Sequence, residues 1–171
     1  MRAPTALGVV WRGAAAGAIG TAAMDLLWFY RYKRGGGEDG FIDWEFSRGL
    51  AGWEGAGPPA QIGRRLFEGL FQLELSDERA GLVNDVMHWS YGLSWAVQYG
   101  VVASSLPPRR TVRSGIAFGS IVWAGDYVIL PLAKLYNPIW EYDLKTLADD
   151  LSAHLLYGVA TAATFEFLSC R

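Results

Sequence analysis

The stretch Val86-Met87-His88-Trp89-Ser90-Tyr91-Gly92-Leu93-Ser94-Trp95-Ala96-Val97-Gln98-Tyr99-Gly100-Val101-Val102-Ala103-Ser104-Ser105-Leu106-Pro107-Pro108 carries no acidic or basic side chain apart from His88. Rising 1.5 Å per residue as a helix, it is long enough to cross a bilayer core of about 30 Å. Three further stretches read similarly, each interrupted by a few ionisable groups: 6–30 (Arg12, Asp25), 112–135 (Arg113, Asp126, Lys134) and 151–168 (His154, Glu166). Four such segments in a short chain would leave a soluble fold with almost no polar helix faces to show water. The sequence therefore reads as an all-α integral membrane four-helix bundle with spans at about 6–30, 86–108, 112–135 and 151–168.

Composition agrees with one membrane domain over residues 1–171. Charged residues make up 19% of the chain, below the roughly 25% usual for soluble domains. Fifteen basic against 17 acidic residues give no basic excess and so no case for nucleic acid as a partner. The single cysteine, Cys170, excludes an internal disulfide framework and any multi-cysteine metal site. Arg12, in the middle of the first apolar run, is unlike a cleavable secretory signal, so 6–30 is taken as a span.

The long connection between the first two spans contains an amphipathic segment at about 61–75. On a helical wheel it sets Ile62, Leu66, Phe67, Leu70, Phe71 and Leu73 on one half and Arg64, Arg65, Glu68 and Gln72 on the other. Such a helix is expected to lie in the membrane interface. Trp44, Trp53 and Trp140 are expected to be interfacial anchors, and Glu166 to sit at the interface. Arg2, Arg12, Arg109, Arg110, Arg113 and Arg171 gather on the acid-poor side that holds both termini, which favours cytoplasmic termini.

The chain also repeats itself. Its two histidines each open the pattern H-x-x-Y-G: His88-Tyr91-Gly92 and His154-Tyr157-Gly158. Arg12 precedes Asp25 by the spacing that separates Arg113 from Asp126, and Trp44-Glu45-Phe46 matches Trp140-Glu141-Tyr142. Each half thus reads as Arg, helix, Asp, Trp-Glu loop, His helix, which makes the bundle two tandem helical hairpins. Two spans per half give both halves one orientation and a pseudo-twofold axis along the membrane normal. Asp25 and Asp126 come late in their spans, His88 and His154 early in theirs, so all four fall toward one face. Gly13, Gly17, Thr21 and Asp25 recur at every fourth residue, and Gly115, Gly119 and Asp126 share a similar stripe, as close helix contacts in lipid require. His88, Tyr91, Trp95 and Gln98 form a polar aromatic face expected to point into the bundle.

An ionisable group inside a span costs about 2.5–3.5 kcal/mol on insertion scales and usually has a function. Asp25, His88, Asp126 and His154, with Glu45 and Glu141 as added oxygen donors, suit a divalent metal such as zinc, iron or manganese. Bis-histidine haem ligation is a weaker alternative, and a proton relay through Asp–His pairs a third. Set against all three is a structural reading, in which the pairs only fix helix register. No G-x-S-x-G, phosphate loop or Cys–His pair supports hydrolytic or acyl-transfer catalysis, and no catalytic residue is assigned.

His88-Trp89-Ser90-Tyr91-Gly92 followed by Ala96 and Tyr99-Gly100, then Leu130-Pro131-Leu132, then His154-Leu155 leading to Glu166, resembles the YagU-like family of small four-span bacterial inner-membrane proteins of unknown function. The resemblance covers spans two to four. It implies an inner-membrane location and four helices, and supplies no activity. The resulting expectation is a multi-pass protein with a buried Asp/His centre that binds a divalent metal or handles protons. The alternative is an accessory subunit without chemistry of its own, whose partner beyond the lipid bilayer is a second copy or a larger membrane complex.

Overall fold

The computed structural model describes residues 5–105 and 111–169. Every regular element among these is helical: α1 (Ala6–Arg34), α2 (Phe41–Glu45), α3 (Pro58–Leu70), α4 (Ala80–Ser105), α5 (Thr111–Leu132) and α6 (Leu144–Ser169). Arg2, Arg109, Arg110, Cys170 and Arg171 lie outside the described residues, as do Leu106, Pro107 and Pro108 at the end of the 86–108 span.

Three helices, α1, α5 and α6, are long and apolar enough to cross a membrane. The fourth long helix, α4, is not among them, although it contains the stretch with fewest charges. His88 and Gln98, together with tryptophans, tyrosines and serines, hold its mean hydropathy down. Scarcity of charge and high hydropathy are separate properties, and α4, with Asp85 its one acidic residue, has only the first.

Helix ends depart from the expected bounds where capping overrides hydropathy. α1 starts at the Thr5 cap, whose hydroxyl accepts from the Gly8 N–H at 3.1 Å, and runs on to Arg34. Arg31, Lys33 and Arg34 in its last turn complement the negative end of the helix dipole. α6 begins well before residue 151 because the Asp143 carboxylate accepts from Thr146 N–H at 2.9 Å and from its hydroxyl at 2.8 Å. Asp149 and Asp150 therefore sit on the helix.

The amphipathic helix is shorter and earlier than 61–75. Pro58 and Pro59 occupy its first positions, where a missing N–H costs nothing. Gln72, with φ of 53°, turns the chain just past Leu70, so Phe71 and Leu73 lie beyond the helix. Only the small face, Ala60 and Gly63, is buried, against Val83 and Met87 of α4. Leu66, Phe67, Leu70, Phe71 and Leu73 stay exposed, the disposition an interfacial helix needs.

α1 packs on α4 and on α6, and α6 packs on α5, while the contact between α4 and α5 is slight and made by side chains such as Tyr99 on Phe118. The order around the bundle is α4, α1, α6, α5, with the ring open between its two ends. Small residues set the close contacts. Gly13, Gly17, Thr21 and Asp25 are all buried on α1, and Gly115, Gly119 and Asp126 on α5. A Cβ on Gly13 would stand 2.8 Å from Val97 Cα of α4, and one on Gly115 2.6 Å from Val159 Cα of α6, so in both pairs backbone touches backbone. The outer faces carry exposed Leu7, Trp11, Ile19 and Leu26 on α1 and Ile121, Val128 and Leu132 on α5, an apolar surface suited to acyl chains.

Two of the three expected tryptophan anchors are structural instead. Trp53 is 5% exposed; its indole N–H donates to the Leu75 carbonyl at 3.2 Å, and Arg64 stacks over the ring. Trp44 packs with Phe29, Tyr32 and Phe41 where α2 folds back on the end of α1. Trp140 is exposed as expected, and so is Glu166.

Gly115→Ala should force α5 and α6 apart and lower stability by about 1–3 kcal/mol, the usual penalty of overpacking. Gly69→Ala, on α3 with open space at its Cα, should be neutral or stabilising by up to about 1 kcal/mol. Thermal unfolding of the two variants in one detergent checks the contrast; equal behaviour would count against backbone contact between α5 and α6.

Candidate functional site

The glycine stripes bring two carboxylates to two imidazoles. With Gly13 and Gly17 seated on α4 around Val97, Ala96 and Leu93, the last member of the α1 stripe, Asp25, meets His88. His88 Nε2 lies 3.0 Å from Asp25 Oδ1 and 3.2 Å from Oδ2. On α5 and α6 the equivalent contact places His154 Nε2 3.2 Å from Asp126 Oδ2. Asp25 and Asp126 are 4% and 9% exposed, so each carboxylate is taken out of water beside a single ring.

The two pairs differ in what surrounds them. His154 Nδ1 faces the Asp150 carbonyl at 3.0 Å and Asp150 Oδ1 at 3.4 Å, so both ring nitrogens meet acceptors. Asp126 Oδ1 accepts a second hydrogen bond, from the Tyr91 hydroxyl of α4 at 2.6 Å. Tyr91 and Asp126 thus form one of the few bridges across the open side of the ring. The other tyrosine of the repeated motif, Tyr157, reaches in the opposite direction and donates to the Gly92 carbonyl at 2.5 Å. Near the first pair, Glu45 accepts from the Trp89 indole at 3.1 Å. Its counterpart in the repeat, Glu141, is exposed, and Asp150 holds the place beside His154.

Both pairs border a cleft of 490 Å³ between α4 and α5. His88, Tyr91, Asp126, Asp150 and His154 line its polar part, and Trp95, Val122, Ile129 and Leu130 its apolar part. Pro58, Pro59 and Ile62 of α3 stand at the rim. One turn beyond Trp95, the ring of Tyr99 packs on Phe118 at 4.8 Å and its hydroxyl meets Ser114 Oγ at 3.0 Å, closing the gap between α4 and α5. The expected interior face of α4 is therefore only partly interior: Trp95 and Tyr91 border the cleft, Tyr91 is 41% exposed, and Gln98 is exposed, bonded only to the Ser94 carbonyl of its own helix.

Among the described residues, no group of three or more His, Cys, Asp or Glu side chains is placed to hold a metal ion. The metal reading of Asp25, His88, Asp126 and His154 gains no support from this geometry, in which His88 and His154 each meet an aspartate through Nε2. Haem fits poorly as well, because neither ring nitrogen of His154 is free. Tyr136, which lines the cleft from the α5–α6 connection, and Arg31 escaped the sequence reading. Arg31 ties the end of α1 to α6 through the Asp149 carbonyl and Ser152 Oγ, both at 2.7 Å. Neither residue belongs to the repeat, and the repeat was the signal that singled residues out.

Glu45, on α2 outside the spans, is raised from 4.5 to about 7, first by burial and then by the Asp25 carboxylate, against the lowering influence of His88 and the Trp89 hydrogen bond. The protonated form is thus favoured by folding. Its contribution is fully present below about pH 4.5 and is lost as pH rises through about 7. Glu45→Gln should flatten the fall in thermal stability over that interval, measured against the wild type in the same detergent; superimposable curves would show that Glu45 titrates normally.

No curated protein and no solved structure matches the chain at a significant level. A family model matches residues 66–171, which takes in α4, α5 and α6 with His88, Tyr91, Asp126, Asp150 and His154, and leaves Asp25 and Glu45 outside. Nothing in these comparisons connects the chain to the YagU-like family that its motifs resemble. A match over more than half of its length places the chain in DUF6789, a family of unknown function.

Proposed function

We propose that the protein is a small multi-pass membrane protein, of the kind found in bacterial inner membranes, whose Asp/His centre handles protons. In this reading α1, α4, α5 and α6 all cross the bilayer as two tandem hairpins, α3 lies in the interface, and the arginine-rich ends face the cytoplasm. Arg12 and Arg113 support that orientation. The matched Asp25–His88 and Asp126–His154 contacts support the hairpin repeat. In a symmetric pair of hairpins the α1–α6 contact would recur between α5 and α4; that side is open instead, and the centre faces the opening.

The observation that carries the proton reading is the surroundings of His154. Its Nδ1 needs a proton to bond the Asp150 carbonyl, and the contact between Nε2 and Asp126 needs another, which can sit on nitrogen or on oxygen. Tyr91 adds a third proton at the far oxygen of Asp126. Tyr91, Asp126, His154 and Asp150 thus make a continuous chain of exchangeable protons, with Tyr91 half-exposed at the cleft.

The accessory-subunit reading has one observation in its favour. Ser90, Ser94 and Gln98 form an exposed polar stripe at every fourth residue of α4, where a neighbouring helix from a second copy or a larger complex would find partners.

Vesicles containing the purified protein, given an imposed pH gradient, should lose it faster than protein-free vesicles, and His154→Gln should return the rate to the protein-free level. Equal rates with and without the wild-type protein would overturn the proton reading and leave the accessory one.

A further inference from the structure

We propose that the cleft between α4 and α5 is a binding site for an amphiphilic organic cation, with an ammonium head at Asp126 and Asp150 and an apolar tail along Trp95 and Val122. This goes beyond proton handling, because it concerns what the cleft holds and requires no proton to move.

Space comes first. A volume of 490 Å³ lies within the range of small-molecule sites. The gap is sideways as well as inward: α4 and α5 touch only slightly, and Ile129 is 54% exposed, so a molecule dissolved in the lipid reaches the cleft without passing through the interfacial loops. One turn from the polar groups, Trp95 on α4 and Val122 on α5 give the cleft an apolar wall, which suits a ligand with a head and a tail.

Charge then selects the head. Asp126 and Asp150 stand around His154, and Asp25 and Glu45 behind His88. Asp126 and Asp150 line the cleft with the two imidazoles, Asp25 and Asp85 add negative charge beside His88, and no Lys or Arg lines the cleft. Arg31, on the last turns of α1, is held away by Asp149 and Ser152. Even with both rings protonated the centre keeps a formal negative excess, which favours a cation and opposes a carboxylate or phosphate. The face of Trp95 and the ring of Tyr91, set edge to face at 6.2 Å, offer π surface to the same charge.

The test uses three probes with one tail and different heads: hexylammonium, hexanol and hexanoate, each titrated into the full-length protein in a neutral detergent while thermal unfolding is followed. Hexylammonium should raise the unfolding temperature in a saturable way, with hexanol and hexanoate giving no saturable shift. Asp150→Asn should weaken hexylammonium about tenfold or more, the size of one charge-assisted hydrogen bond. Ile129→Trp keeps every charge and fills the space from an exposed position, so it should abolish the shift even if the Asp150 variant does not fold. An equal shift from all three probes, a larger one from hexanoate, no shift from any, or full binding by Ile129→Trp would each overturn the proposal. Proton leak in vesicles is read separately, so either result stands without the other.

Discussion

Asp25 and Asp126 each place a buried carboxylate on a helix long and apolar enough to cross a membrane. Removing such a group from water costs several kcal/mol unless it finds a hydrogen-bonding partner. Each finds one imidazole, at 3.0 Å and 3.2 Å, and those contacts demand particular helix registers. The registers are attainable only because Gly13 and Gly17, and in the other pair Gly115 and Gly119, let backbones touch. Packing at glycine and pairing at Asp–His together hold α1 on α4 and α5 on α6.

The same requirement, met twice, leads to different environments. Beside His88 stand Glu45, contributed by the long connection after α1, and Trp89 of α4, which donates to it. Beside His154 stand Asp150 on the same helix and, across Asp126, Tyr91 from α4. Both imidazoles border the cleft, but the first pair is also roofed by the folded loop, where burial raises Glu45 to about 7. A repeated motif has been given two uses by the segments inserted around it.

Much of this was legible before any coordinates. Apolar runs announced long helices, and the repeat singled out Asp25, His88, Asp126 and His154, which do come together as Asp–His pairs. What could not be read was the fate of residues whose role depends on neighbours distant in the chain. Trp53 looks like an interfacial anchor until Leu75 and Arg64 close over it. Glu141 matches Glu45 letter for letter but lies exposed, because the α5–α6 connection folds back through Tyr136 and Tyr142 onto Tyr127 instead. The charge-free stretch at 86–108 seemed the plainest span, yet its polar aromatic content keeps α4 from being one of the helices apolar enough to cross a membrane.

By itself the sequence determined the helical class, the small-residue stripes, and the identity of the two carboxylates and two imidazoles that must find each other, because periodicity and the cost of burying charge are local properties of each segment. The tertiary structure alone decided that α1 packs against α6 while α4 and α5 touch only slightly, that Tyr91 spans the opening to Asp126, and that a cleft with an acidic end lies between them. Those outcomes depend on which helix faces are left after the tightest contacts form, and that is a property of the assembled bundle, carried by no single stretch of residues.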